Sequence, residues 1–523
     1  MVTRWLALLV LGALAGLAAL GLELHGLAYG RPAAGDWTRL LASHLVGGGV
    51  AGLIVGLLVR GLGRRPLGGA GLLLSALGFA LLAVGFARWN TRAPCDVVLL
   101  VSDATRADHL SLYGYERPTA PELEAIAAEG VVWETMLSAG SSTIVSTPSI
   151  LSALFPTQHG MAGHSNVLAD SVRLISQHME AAGYDTYGHT TNPHLKGRQG
   201  FARGYDVYNE KGGWEIEAEE VFATYLHWYL SRASQAPVFA FLFVIDPHAP
   251  YAPPPEYQTR FDPDWEKLPV ASFMQLRRYG AEFDPRAREN LIAQYDGEIA
   301  FMDACIGRFW RALERIGARE NTLFVYTSDH GEEFFEHRDW GHNSALYEES
   351  IHVPLLVYFP SPLRLPRIGP RGVRVPGPVS HVDILPTILA YAGLPIEGVP
   401  NGVDLWPTIG RQQPDETRWV YCEEILEDYG PFELRAIRGV EWKYIRNTRN
   451  GDQPPRPEEL YRLSEDPGER VNVHSQYPAT ARRLAEMLAS RLARLRLSAP
   501  DSTQTIELDA ETREDLRSLG YIE

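Results

Sequence analysis

Lysine is almost missing from this 523-residue chain: Lys196, Lys211, Lys267 and Lys443 are the whole complement, and nearly all positive charge is arginine. Cysteine is scarce as well. Cys95, Cys305 and Cys422 are too few and too scattered for a disulfide framework or a Cys-rich zinc site. No internal repeat and no low-complexity tract interrupts the sequence, which excludes a solenoid. Positive charge in bulk is lacking too, since the formal net charge is −16. That average conceals a division, because residues 1–92 carry +6 and the remainder −22. A part so acidic is a poor binder of nucleic-acid phosphates, so no nucleic-acid partner is expected. What is present, 45% hydrophobic and 21% charged residues, suffices for two or three domains with sizeable cores and excludes a disordered chain.

Three apolar runs open the chain, Trp5–Leu22, Leu40–Val59 and Leu67–Phe86, none with a formal charge. Each has about the 17–25 residues that cross a bilayer as a helix. The first alone would pass for a signal peptide, but two further runs of similar length favour three spanning helices. The densest positive loop, Arg60-Gly61-Leu62-Gly63-Arg64-Arg65, is expected to stay cytoplasmic. The N-terminus is then inside, and the chain leaves the third helix on the outer, periplasmic or extracellular, face. A multi-pass membrane protein in contact with the lipid bilayer is the expectation.

Beyond Arg92, short apolar strands alternate with helical patterns, which predicts a mostly parallel α/β sheet flanked by helices. Strands are expected at Val97–Val101, Val238–Ile245, Leu323–Tyr326 and Val353–Phe359. Helices are expected at Pro121–Glu129, Val172–Ala182 and Arg288–Leu313, and Ala249–Asp264 reads as an ordered loop. Near Leu405 the pattern changes to short strands followed by a helix over Ala479–Leu495, a smaller C-terminal α+β unit. The expected division is a membrane segment at 1–92, a catalytic domain at 93–405 and the α+β unit at 406–523.

Ligands of open parallel sheets bind beyond the carboxyl ends of the strands. Three predicted strands run directly into Asp103, into Asp329-His330 and into Asp246-Pro247-His248. A single Asp after a strand is ordinarily a cap or turn residue. Three coincident clusters of carboxylate and imidazole instead suit a divalent metal. A hydroxyl-rich run, Ser141 to Ser149, then opens an apolar helical stretch. A hydroxyl at such a helix start, beside a metal, is a candidate nucleophile toward phosphorus or sulfur.

The stretch Val97 to His109 resembles the opening strand and metal-ligand turn of the sulfatase family, within the alkaline phosphatase superfamily. Ser328-Asp329-His330-Gly331-Glu332-Glu333, with Trp340-Gly341-His342 and Val353-Pro354-Leu355, resembles its second metal motif. Asp246-Pro247-His248-Ala249-Pro250-Tyr251 resembles its substrate-facing loop. Val382 to Thr387, Glu465 to Glu469 and Leu519-Gly520-Tyr521 follow in the family's order, so the likeness covers about residues 96–523.

The resemblance implies an alkaline-phosphatase-like fold and one divalent ion bound by Asp103, Thr143, Asp329 and His330; the donor set does not choose among Zn, Mn, Mg and Ca. It makes Thr143, His248 and His342 the catalytic candidates, with His337, Arg106 and Asn192 weaker ones. Departures from the family shape the expected chemistry. Sulfatases carry Cys or Ser, any residue, Pro, Ser or Ala, then Arg, with the first residue oxidised to formylglycine. Here Ser146-Thr147-Pro148-Ser149 is followed by Ile150. Counting back without gaps from Leu154-Phe155-Pro156 puts the nucleophile at Thr143, as in phosphoethanolamine and phosphoglycerol transferases, with Ser146 the alternative. The usual sulfate-binding lysines have no counterpart. The expected function is therefore a hydrolase or transferase of phosphate esters or diesters through a covalent Thr143 intermediate, acting on an envelope or lipid-linked phosphate ester. A sulfuric ester hydrolase and an inactive, membrane-anchored binding protein on the same fold are the alternatives.

Overall fold

The structure, a computed structural model, describes residues 95–523 except 212–216, 265–283, 361–371, 397, 400, 429–431, 451–455, 501–502, 520 and 522–523. The three expected membrane spans fall on residues 1–94, outside the described residues. Among the described residues no helix is long and apolar enough to cross a membrane.

Leaving two-residue bridges aside, the strands in chain order are β1 (Asp96–Ser102), β2 (Val131–Leu137), β3 (Asp185–Thr190), β4 (Val207–Asn209), β5 (Val238–Val244), β6 (Thr322–Ser328), β7 (His352–Tyr358) and β8 (Val373–Ser380). They form one eight-stranded sheet in the order β8-β2-β7-β6-β1-β5-β3-β4. Only β7 is antiparallel to its neighbours; every other pairing is parallel. β1, with the sequence DVVLLVS, and β5, with VFAFLFV, are buried at every position. A sheet covered by helices on both faces demands such unbroken apolar strands rather than alternation.

The longer helices are α1 (Pro121–Ala127), α2 (Thr143–Ser152), α3 (Ile175–Ala181), α4 (Ala218–Ser231), α5 (Pro285–Arg315), α6 (Ile384–Ala392), α7 (Pro478–Arg496) and α8 (Ala510–Ser518). Asp284 starts α5 by accepting from the Arg286 N–H at 2.8 Å, with Pro285 following at a position that needs no donor. The buried face of α5 meets α4, where Phe222 stacks on Phe309 at 4.8 Å, each ring contributing about 2–3 kcal/mol by leaving water. α5 also holds α1 in place: Asp303 accepts from the N–H groups of Glu122 and Leu123, both at 2.9 Å.

A second sheet, antiparallel, runs β9 (Val420–Leu426), β10 (Phe432–Arg438), β11 (Trp442–Asn450) and β12 (Glu459–Arg462). α7 lies against β10 and β11 through a stripe that includes Leu484 and Leu488. Pro94–Ile388 and Gly398–Glu523 make up one compact unit, so the small sheet belongs with the large one.

Candidate active site

Because the strands are parallel, their carboxyl ends share an edge. β1 lies directly between β6 and β5, with Ser102 in register with Ser328 on one side and Val244 on the other. Asp103 leaves β1 just where Asp329 and His330 leave β6, and the Asp329 N–H bonds back to the Ser102 carbonyl at 3.2 Å. Gly331 lets this turn close: a methyl group there would lie 2.0 Å from the Glu349 carbonyl oxygen.

Asp103, Asp329 and His330 each offer a ligand atom within 4.8 Å of the others, and all three are buried. Asp329 Oδ1 is engaged by the N–H groups of Ala104 (3.1 Å) and His330 (2.8 Å). Asp103 Oδ2 accepts from the Asn192 amide at 2.7 Å. The other oxygens, Asp103 Oδ1 and Asp329 Oδ2, receive no hydrogen bond of ordinary geometry from the described residues. Burial pushes both carboxyls above their ordinary range, and the Asp329 charge adds to the effect on Asp103. His330 Nδ1 donates to the Gly331 carbonyl at 2.8 Å, leaving Nε2 to face the carboxylates. Two orphaned, mutually repelling oxygens and an imidazole nitrogen held in one tautomer fit a divalent cation.

Thr143 is the first residue of α2, and its Oγ1 lies 3.4 Å from His330 Nε2 and 3.4 Å from the Asn192 amide nitrogen. The four residues implied as metal ligands are thus together. Ser146, the alternative nucleophile, lies one turn further along α2; its hydroxyl is buried and meets no hydrogen-bond partner among the described residues.

His248 and His342 stand nearby. The His342 ring is 4.4 Å from that of His330 and 5.1 Å from that of His248. His342 Nδ1 pairs with Glu332 Oε1 at 3.0 Å, and Tyr251 donates to Glu332 Oε2 at 2.9 Å. His248 Nδ1 donates to the Ala249 carbonyl at 2.5 Å, and burial pushes its pKa down to about 3.

The weaker candidates separate. Asn192 is in the site. Arg106 braces Asp108, Glu336 and the Glu332 carbonyl, and His337 pairs with Glu349 and the Glu469 carbonyl. Sequence reasoning passed over Glu332, although it stands inside the quoted Asp329-to-Glu333 motif. It also passed over Glu424, which no local pattern marks; the Ser141 N–H (2.5 Å) and the Ser142 hydroxyl (2.6 Å) both donate to its carboxylate.

Comparison with known proteins bears on the chemistry. A family model described as "Sulfatase" matches residues 96–394, and one described as "N-sulphoglucosamine sulphohydrolase, C-terminal" matches 335–498. Arylsulfatase K of Bos taurus is 31% identical over 227 residues, 42% of this chain and 39% of that protein. The match therefore spans well under half the length of that relative. The ulvan-active sulfatase of Formosa agariphila is 27% identical over 394 residues, 68% of this chain and 73% of that protein. In fold, the chain is similar to a protein solved in complex with its substrate D-glucosamine-2-N,6-O-disulfate, with a TM-score of 0.65 and 17% identity over 79% of this chain and 100% of that one.

These relatives overturn the expectation of phosphate-ester chemistry. A threonine nucleophile and a shortage of lysine change how an anion is held and attacked, but neither selects phosphorus over sulfur. Among the described residues, the imidazoles of His248, His330 and His342 stand together at the site. With the opening metal turn, the second metal motif and the family model coinciding over more than half of its length, the chain belongs to the sulfatase family.

Proposed function

We propose that the chain is a metal-dependent sulfuric ester hydrolase with Thr143 as its nucleophile. The observation that carries this reading is the approach of Thr143 Oγ1 to His330 Nε2, beside the two orphaned oxygens of Asp103 and Asp329. The sulfatase names of the relatives support sulfate as the group attacked. Asp103, Asp329, His330 and Thr143 would hold a divalent ion, which when bound would supply charge that lowers the hydroxyl pKa and stabilises the transition state.

This chain's own residues do the rest. The Asn192 amide, donating to both Asp103 and Thr143 Oγ1, fixes the threonine rotamer so that its oxygen presents a lone pair. Thr143 gives up its hydroxyl proton to solvent water, its Oγ1 forms a bond to sulfur as the ester S–O bond breaks, and the departing alkoxide takes up a proton. His342, oriented by Glu332, holds that proton at Nε2. Water then cleaves the sulfo-threonine, releasing sulfate and restoring the hydroxyl.

The apolar runs of residues 1–92 support anchoring in a membrane with the catalytic unit on its outer face. Protease accessibility of the outer part in intact cells tests that placement.

An aryl sulfate, phosphomonoester and phosphodiester assayed side by side, with and without chelator, test the reaction. Chelator-sensitive turnover of the aryl sulfate, lost in Thr143→Ala, is the expected result. Turnover of either phosphate ester without the sulfate, or full activity in Thr143→Ala, overturns the proposal.

A further inference from the structure

The segment Ala510–Tyr521 returns to the carboxyl edge of the large sheet. Leu516, Leu519 and Tyr521 form a small buried cluster with Ile245, which immediately follows β5 and stands three residues before His248. Arg198 pairs with Asp509 and donates to the Thr512 hydroxyl at 2.6 Å, while Lys196 reaches Asp515 at 3.5 Å. Lys196 and Arg198 lie on the loop that carries Asn192 and His194 away from β3. One segment therefore clasps two loops that deliver side chains to the site.

Tyr521 is the tip of that clasp. Its hydroxyl lies 2.7 Å from His248 Nε2, and its ring meets His194 edge-on at 4.5 Å and tilts against His342 at 5.9 Å. Because the Ala249 carbonyl can only accept, His248 Nδ1 carries the proton there. Nε2 of the neutral ring is then the acceptor, and the phenol O–H donates to it. In this arrangement His248 has no proton to offer at Nε2, so leaving-group protonation is left to His342.

We propose that Tyr521 is a positioning residue of the active site, whose hydroxyl, donating to His248 Nε2, fixes the orientation of the ring that the Ala249 carbonyl holds at Nδ1, and whose ring walls the substrate site against His194 and His342. This deepens the sulfatase reading and rests on it for the substrate; the Tyr521–His248 bond stands on geometry alone.

Tyr521→Phe keeps the ring and removes only the hydroxyl, so the two readouts are the imidazole nitrogen NMR of His248 and steady-state kinetics on an aryl sulfate. In the variant, His248 is expected to stay the Nδ1–H tautomer held by the Ala249 carbonyl, with its Nε2 resonance moved downfield by loss of the phenol's hydrogen bond. The kcat is expected to fall about tenfold, the value of one buried hydrogen bond, with KM within about twofold. An unchanged His248 spectrum overturns the Tyr521–His248 hydrogen bond. A changed spectrum with unchanged kcat overturns the positioning role. If the wild-type protein does not turn over the sulfate at all, the functional reading fails, while the spectrum still decides whether Tyr521 donates to His248.

Discussion

The Ser142 hydroxyl donates to Glu424 Oε1 at 2.6 Å across 282 positions of sequence, tying the first strand of the small sheet to the residue before Thr143. Ser141 adds its N–H at 2.5 Å and its hydroxyl at 3.1 Å. The nucleophile turn is thus fixed from outside the large sheet, which gives the C-terminal unit a part in placing the reacting hydroxyl.

Burial pushes the Glu424 carboxyl up to about 7, against three donors that pull it down. A folded-state pKa raised above the unfolded one contributes stability that is complete below about pH 4.5 and is lost as pH rises through about 7. Glu424→Gln removes that dependence and offers two amide hydrogens where Ser141 N–H needs an acceptor. The variant is expected to be less stable than wild type at pH 5, with the gap closing by as much as ~3 kcal/mol by pH 8. Denaturant titrations at the two pH values measure it, and a gap that widens with pH refutes the assignment.

Asp103 and Asp329 repel one another in the absence of a cation. Asp103→Asn removes one of two buried like charges, so without metal at pH 8 its Tm is expected to equal or exceed that of wild type. Added divalent ion then separates the two proteins. Wild type gains about 2.7 kcal/mol at a hundredfold excess over Kd, and the variant gains little. An Asp103→Asn protein that keeps the full metal-induced rise would remove Asp103 from the ligand set.

Lys443, fully buried on β11, lies 2.9 Å from Glu469 and 3.1 Å from Glu348. Burial works against its charge, but the two carboxylates together hold its pKa up. Lys443→Met leaves Glu469 buried without its cation, while Glu348 keeps Arg438 at 3.5 Å, and is expected to cost about 3–5 kcal/mol. A second change, Glu469→Gln, is expected to recover part of that loss; thermal unfolding of the single and double variants reads both numbers.

The strands that position the site were legible where burial on both faces made the sequence continuously apolar. Val97–Val101 and Leu323–Tyr326 each extend by a residue or two in the structure, to Asp96–Ser102 and Thr322–Ser328. β3 and β8 were not legible. DTYGHT holds too many polar residues, and VRVPGPVS has prolines that only a sheet edge tolerates. The candidate metal cluster was readable because Asp103, Asp329 and His330 directly follow strands. Glu424 and Tyr521 act from distant segments, and no local spacing encodes a contact of that kind. The choice between phosphate and sulfate was misread, because nucleophile type and lysine content describe how an anion is handled rather than which one.

Glu332 and His342 share the leaving-group proton transfer of the proposed mechanism. The carboxylate accepts from His342 Nδ1 and from the Tyr251 hydroxyl, so the imidazole presents Nε2 in one orientation. Glu332→Gln is expected to lower kcat by about 10–100-fold while leaving the metal-induced Tm rise intact, which separates it from the ligands. His342→Gln is expected to cost more, about 10²–10⁴-fold on an unactivated alkyl sulfate. An aryl sulfate whose phenol leaves without help needs no proton, so the His342→Gln defect is expected to shrink on it. His248→Gln is expected to show no such dependence on the leaving group, because both ring nitrogens are engaged by Ala249 and Tyr521. A His342→Gln enzyme equally impaired on both esters, with His248→Gln sensitive to the alcohol, would transfer the proton-holding role to His248.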